Sequence, residues 1–201
     1  EDSKKMIVFD NNLLRYAFNL NEKSFKCLEF FNFEDKNFNF SHLEQNKGVN
    51  KNIVATLQSL HCNAIGITGA DAGMILAHKR VHPDLDFGFV GDIDKVNIET
   101  LVSLLTQHHP LVIAPITHDG QGQLLNTNAD TIAQSLATAL AALYKVHLIY
   151  GFEKEGVLLD VDNPTSVLGH MNVEKYHQLK SQHVIVEGMI PKMDNAFKAL
   201  E

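Results

Sequence analysis

The stretch LVIAPITHDGQGQLLNTNADTIAQSLATAL, residues 111–140, decides the fold. Its first four residues form a continuous apolar run closed by Pro115, which has no N–H to give to a sheet, so the run reads as a buried strand entering a loop. Residues 124–130 then lead into a helix whose apolar stripe is Ile132, Leu136 and Leu140. Ala133, Ala137, Ala139, Ala141 and Ala142 accompany that stripe and permit close packing. Strand, loop and helix in this order form the repeating unit of an α/β fold with a largely parallel sheet.

The same alternation extends in both directions. Toward the N-terminus, Asn50 is placed to cap a helix with Ile53, Leu57 and Leu60 on its apolar face, and residues 62–67 read as a buried strand. A turn follows at residues 68–73. Residues 74–77 and 87–96 read as strands, the second carrying Gly88 and Gly91, which signal a bulge or a close backbone approach. Asn97 opens a helix with Ile98, Leu101, Val102 and Leu105 at helical spacing. Toward the C-terminus, residues 146–150 read as a strand, Val173, Tyr176 and Leu179 mark a helix, and Met193, Phe197 and Leu200 mark the last one.

Residues 1–48 have a different composition: they hold 8 of the 12 phenylalanines, interleaved with Asn and Lys, and Gly48 is their only glycine. Within them, residues 6–9 are expected to form a short strand and residues 13–20 a short helix. The formal net charge of −7 argues against a nucleic-acid partner, which calls for clustered Lys and Arg. No apolar run approaches the roughly 18 residues that a bilayer span requires, and no signal-peptide core follows the first charged residues, so a soluble protein without a membrane partner is expected. Cys27 and Cys62 have neither disulfide-framework nor zinc-site spacing, and a reducing, cytoplasmic setting suits them.

Three groups of residues could carry chemistry. Asn126, Asn128 and Asp130 alternate, so in an extended approach their side chains would share one face at the start of a helix, where free backbone N–H groups attract anions. Helix capping by itself accounts for one or two of them. Residues 68–73, TGADAG, form a glycine-bearing turn after a strand, fitting no phosphate-loop signature; a hairpin turn with a positive φ is the expected account of its glycines. Lys192 follows the Gly188 turn at the start of the last helix, where a cation opposes the helix dipole, so it suits an anionic ligand such as a transferring phosphoryl group, although a lone lysine is more often only solvated. The 11 histidines show no metal-ligand spacing and no metal site is expected.

Five stretches, taken together, resemble the acetylglutamate kinases of the amino acid kinase family: VNKNIVATLQSLHCNAIGITGADAG (49–73), DFGFVGDIDKVN (86–97), residues 111–140, LIYGFEKEGVLLD (148–160) and EGMIPKMDNAFKAL (187–200). The resemblance implies a three-layer α/β/α sandwich with a mainly parallel central sheet. It also implies transfer of the ATP γ-phosphoryl group to the side-chain carboxylate of N-acetyl-L-glutamate, giving an acyl phosphate in arginine biosynthesis. Asn126 would then hold the acetylated amino acid, Asn128 would support the polar cluster, Asp130 would orient the catalytic lysines, and Lys192 would neutralise the phosphates. Phe152, Glu153 and Gly156 would border the nucleotide, with Mg2+ carried by ATP. A homo-oligomer is implied as well. Residues 1–48 form a divergent segment in this scheme, 49–143 the substrate-binding core, and 144–201 part of a nucleotide lobe.

The N-terminal part departs from the family. The lysine and paired glycines that follow the family's first strand are replaced by Asp10-Asn11-Asn12, the glycine run after its second strand is unmatched, and so is the arginine that would grip the substrate α-carboxylate. A half-built substrate site is therefore expected, with a misread front end or a fragment as its preferred origin. The alternative reading is a non-catalytic ligand-binding or regulatory homologue, or a fragment of the kinase.

Overall fold

A computed structural model describes residues 3–9, 28–29, 40–106, 110–151, 156–160, 162–163, 165–185 and 189–200. The strands are β1 (Ser3–Phe9), β2 (Leu28–Glu29), β3 (Ile65–Thr68), β4 (Ile75–Lys79), β5 (Gly91–Val96), β6 (Leu111–Ala114), β7 (Ile116–His118), β8 (Leu124–Asn126) and β9 (Lys145–Gly151). The helices are α1 (Phe40–Ser59), α2 (Ile98–Thr106), α3 (Ala129–Ala141), α4 (Val173–Ser181) and α5 (Ile190–Lys198). The expected helix over residues 13–20 lies outside the described residues.

The layering follows from β6. All its residues are buried, and they divide by parity: Leu111 and Ile113 join Leu101, Leu105, Ile132 and Leu136 from α2 and α3, whereas Val112 joins Ile53 and Leu57 from α1. Side chains alternate faces along a strand, so α1 covers one side of β6 and α2 with α3 covers the other. β6 lies between β2 and β3 and runs parallel to both, and β1 pairs in parallel with β9 and contacts β2. The result is the expected three-layer sandwich around a mainly parallel sheet.

A second sheet, in the order β5-β4-β7-β8, is mostly antiparallel, with β4 and β7 its parallel pair. The strand expected over residues 87–96 starts only at Gly91, where the close approach signalled by glycine is real. A Cβ there would stand 2.8 Å from Leu125 Cβ and 2.9 Å from Thr127 Oγ1. The expected bulge is also in this strand: consecutive Leu76 and Ala77 of β4 pair with Lys95 and Ile93, leaving Asp94 of β5 as the extra residue.

Two expectations about α1 need correction. Asn50 does not cap it, because the helix begins at Phe40 and runs through Gly48. Asn50 is buried in mid-helix, where its amide donates to the carbonyls of Val112 at 2.9 Å and Ile67 at 3.4 Å and so ties the helix to the sheet. Leu60 lies past the helix end and is exposed, unlike Ile53 and Leu57. At the C-terminus Met193 and Phe197 pack against the α4 cluster around Tyr176, but Leu200 lies beyond α5 and is exposed.

Candidate functional site

The segment between β8 and α3 is held from beneath by hydroxyls. Thr127 is buried and its Oγ1 lies 2.9 Å from Thr117 Oγ1 and 3.2 Å from the Gly91 carbonyl, a polar contact that anchors the chain where the strand ladder ends. Asn126 closes β8, half-buried, opposite Ile116, and its backbone N–H donates to the Phe89 carbonyl at 2.8 Å.

The extended approach that would align Asn126, Asn128 and Asp130 does not run the length of this segment. The extended run stops before α3, and Asp130 already sits in the first helical turn. Asn128 is the N-cap: its side-chain oxygen accepts the Thr131 N–H at 3.0 Å and lies 3.3 Å from the Thr131 hydroxyl. The capping reading is therefore correct for this residue.

Asp130 and Lys192, distant in sequence, meet inside the protein. Lys192 Nζ lies 3.1 Å from Asp130 Oδ2 and 3.3 Å from Oδ1, and both side chains are buried. α3 and α5 are in contact, and each contributes one partner from its first turn. The field at a helix N-terminus favours the Asp130 carboxylate and disfavours the Lys192 ammonium. Lys192 keeps its unfavourable place because Asp130 neutralises it, and two helix N-termini with a buried ammonium make a setting that receives anions.

Tyr150, expected in a strand and at the start of the stretch that resembles the nucleotide lobe, belongs to this group. Its hydroxyl donates to the Asp130 carbonyl at 3.2 Å. Burial first, and then the Asp130 charge, pushes its phenol far above the usual range, so it remains a proton donor. Only its place at the end of β9 could have signalled this role.

Other expected site residues are elsewhere or undescribed. Phe152 and Glu153 lie outside the described residues. Gly156 is half-buried, and a Cβ there would stand 2.6 Å from Val167 Cγ1, so packing against Val167 requires the glycine. The TGADAG segment is not a hairpin turn, because β3 and β4 lie in different sheets. It contains a short 3-10 turn over Asp71–Gly73, with Ala72 and Gly73 at φ 51° and 61°, and Asp71 Oδ2 accepts from the Thr68 backbone at 2.6 Å and from its hydroxyl at 2.9 Å. Among the described residues no His/Cys/Asp/Glu group is arranged to hold a metal ion, and no helix is long and apolar enough to cross a membrane.

These features define an α/β protein of three-layer α/β/α architecture with a buried Lys–Asp pair between the first turns of two helices. The chain belongs to the amino acid kinase family, whose sequence pattern matches residues 20–201. It is 53% identical over 153 residues to an acetylglutamate kinase of Cytophaga hutchinsonii, covering 76% of this chain and 58% of that protein. It is 51% identical over 153 residues to one of Phocaeicola vulgatus, covering 76% and 60%, respectively. The chain thus spans about three fifths of the length of these relatives.

Solved structures agree on the fold. The smu.665 protein of Streptococcus mutans UA159 superposes with a TM-score of 0.74 at 18% identity, covering 96% of this chain and 89% of that one. An N-acetylglutamate synthase of Neisseria gonorrhoeae, solved with coenzyme A and N-acetyl-glutamate, gives 0.68 at 15% identity, covering 98% and 51%.

Proposed function

We propose that this protein transfers the γ-phosphoryl group of ATP to the side-chain carboxylate of N-acetyl-L-glutamate, giving an acyl phosphate and ADP. The buried Lys192–Asp130 pair at the meeting of two helix N-termini carries this reading, because phosphoryl transfer asks for positioning and charge neutralisation rather than covalent help. A carboxylate oxygen attacks the γ-phosphorus as the bond to the β,γ-bridging oxygen breaks, and that oxygen leaves with the electron pair on ADP. An ionised acceptor needs no general base.

In this reading Lys192 offsets charge on the transferring group, Asp130 holds its ammonium in place, and Asn126 contacts the acetylated amino acid. Asn128 acts at one remove, by fixing the start of α3. Phe152, Glu153 and Gly156 border the nucleotide, whose Mg2+ arrives as Mg-ATP. Residues 49–143 serve the acceptor and 144–201 the nucleotide. Similarity to acetylglutamate kinases supports the choice of acceptor, and a homo-oligomer and a cytoplasmic setting go with it.

A hydroxylamine trap tests the chemistry. The full chain, Mg-ATP and N-acetyl-L-glutamate should give hydroxamate, and Lys192→Ala should abolish it. Absence of hydroxamate from the wild-type chain overturns the reading. If calorimetry then shows N-acetyl-L-glutamate or Mg-ATP still binding, the non-catalytic homologue takes its place.

A further inference from the structure

We propose that Tyr150 is a positioning residue for the Lys192–Asp130 pair, acting through its hydroxyl on the main chain of Asp130 while its ring serves the core. The proposal rests on the kinase reading for its catalytic consequence and on geometry for the contact itself.

The ring and the hydroxyl have separable roles. The ring is partly buried against the large cluster that includes Ile132, Ala133 and Leu136 of α3, a place a phenylalanine would fill equally well. The hydroxyl adds one contact, the 3.2 Å bond to the Asp130 carbonyl. In a helix that carbonyl accepts the amide four residues on, and its second lone pair remains for the phenol. This bond joins the end of β9 to the turn of α3 from which the Asp130 carboxylate reaches Lys192.

The chemistry of the donor fits the task. Burial and the Asp130 charge raise the phenol's pKa, so it is a protonated donor at neutral pH. β9 itself packs along α3, the helix that carries Asp130. One hydroxyl therefore fixes the separation between that strand and the carboxylate that holds the catalytic ammonium. Small displacements at a phosphoryl-transfer site act on the rate more than on ground-state binding.

The test is Tyr150→Phe, which keeps the ring. In the hydroxylamine assay kcat should fall by about tenfold while KM for both substrates stays within about twofold. In the same variant the 15N ammonium signal of Lys192, assigned by its loss in Lys192→Met, should shift or broaden. In the unsubstituted protein, 13Cζ-tyrosine in half-deuterated water should give Tyr150 a split signal, because a hydroxyl bonded in the interior exchanges slowly.

An unshifted Lys192 signal in a folded Tyr150→Phe protein, or a single averaged Tyr150 signal in the wild type, overturns the proposal. A rise in KM with kcat unchanged also overturns it. If the wild-type chain makes no acyl phosphate, the kinase reading fails alone and the two spectroscopic signals still decide the contact. If Tyr150→Phe does not fold, the wild-type Tyr150 signal decides.

Discussion

Lys192 Nζ and Asp130 Oδ2 stand 3.1 Å apart with both side chains buried, although 62 residues separate them in sequence. Removing one partner leaves an uncompensated buried charge. Lys192→Met or Asp130→Leu should therefore lower stability by about 3–5 kcal/mol, and the double replacement should recover much of that loss. Urea unfolding of the two single variants and the double variant checks this; additive losses would show that the two charges do not compensate one another.

Gly66 lies in β3 against α1, and a Cβ there would stand 2.1 Å from Asn50 Oδ1 and 2.9 Å from Val54 Cγ2. Gly66→Ala must displace the amide that ties α1 to the Val112 carbonyl at 2.9 Å. We expect a loss of about 1–3 kcal/mol, read as a drop in Tm. Gly48, around which a Cβ would meet nothing within 4 Å, supplies the control: Gly48→Ala in the same helix should not destabilise.

Asn128 caps α3 through its 3.0 Å contact with the Thr131 N–H. Asn128→Ala should cost about 1 kcal/mol, and Asn128→Asp should retain most of the stability because a carboxylate also caps and suits the helix N-terminus. Thermal unfolding of the pair separates the cap from any contact with a ligand.

Tyr176 joins α4 to α5: its hydroxyl donates to Asp194 Oδ1 at 2.6 Å while its ring stacks on Phe197 at 5.0 Å between centroids. Tyr176→Phe keeps the stack and removes the bond, so a loss of about 1–2 kcal/mol is expected in urea unfolding. An unchanged midpoint would show that Lys180, which also contacts Asp194 at 2.7 Å, suffices to hold that carboxylate.

Acid should reveal the pairing of Arg80 with Asp92. The Arg80 guanidinium hydrogen-bonds the Asp92 carboxylate, at 2.6 Å in its shortest contact, and holds its pKa below the usual range. A carboxyl whose folded pKa lies below its unfolded value binds protons more readily when unfolded. Its contribution to stability is complete above the unfolded value of about 3.9 and is lost as the pH falls through the lower folded value. Asp92→Asn should therefore flatten the acid limb of the stability curve, with little change in its slope near neutrality, measured by urea unfolding across pH. A limb of unchanged steepness would contradict this.

Much of the fold was legible because β6 is a short apolar run stopped by Pro115, and because Ile132, Leu136 and Leu140 keep helical spacing. Both patterns report local periodicity, which the chain carries wherever it folds. Asn50 was misread for the same reason: polarity at the edge of an apolar pattern looks like a cap, and only the carbonyls of Val112 and Ile67 satisfy it in mid-helix. Phe87 and Gly88 were read as strand from composition, but pairing with β4 begins at Gly91.

The sequence by itself determined the alternation of the main strands and helices, though not the short strands β2, β7 and β8, together with the apolar faces and the placing of Asp130 and Lys192 at helix starts. It determined these because helix and strand periods and turn residues act over a few neighbours. The tertiary structure decided that Asp130 and Lys192 pair with each other and that the Tyr150 hydroxyl reaches the Asp130 carbonyl. Those relations depend on how α3, α5 and β9 pack, and packing sets distances between residues whose separation along the chain encodes nothing about their approach.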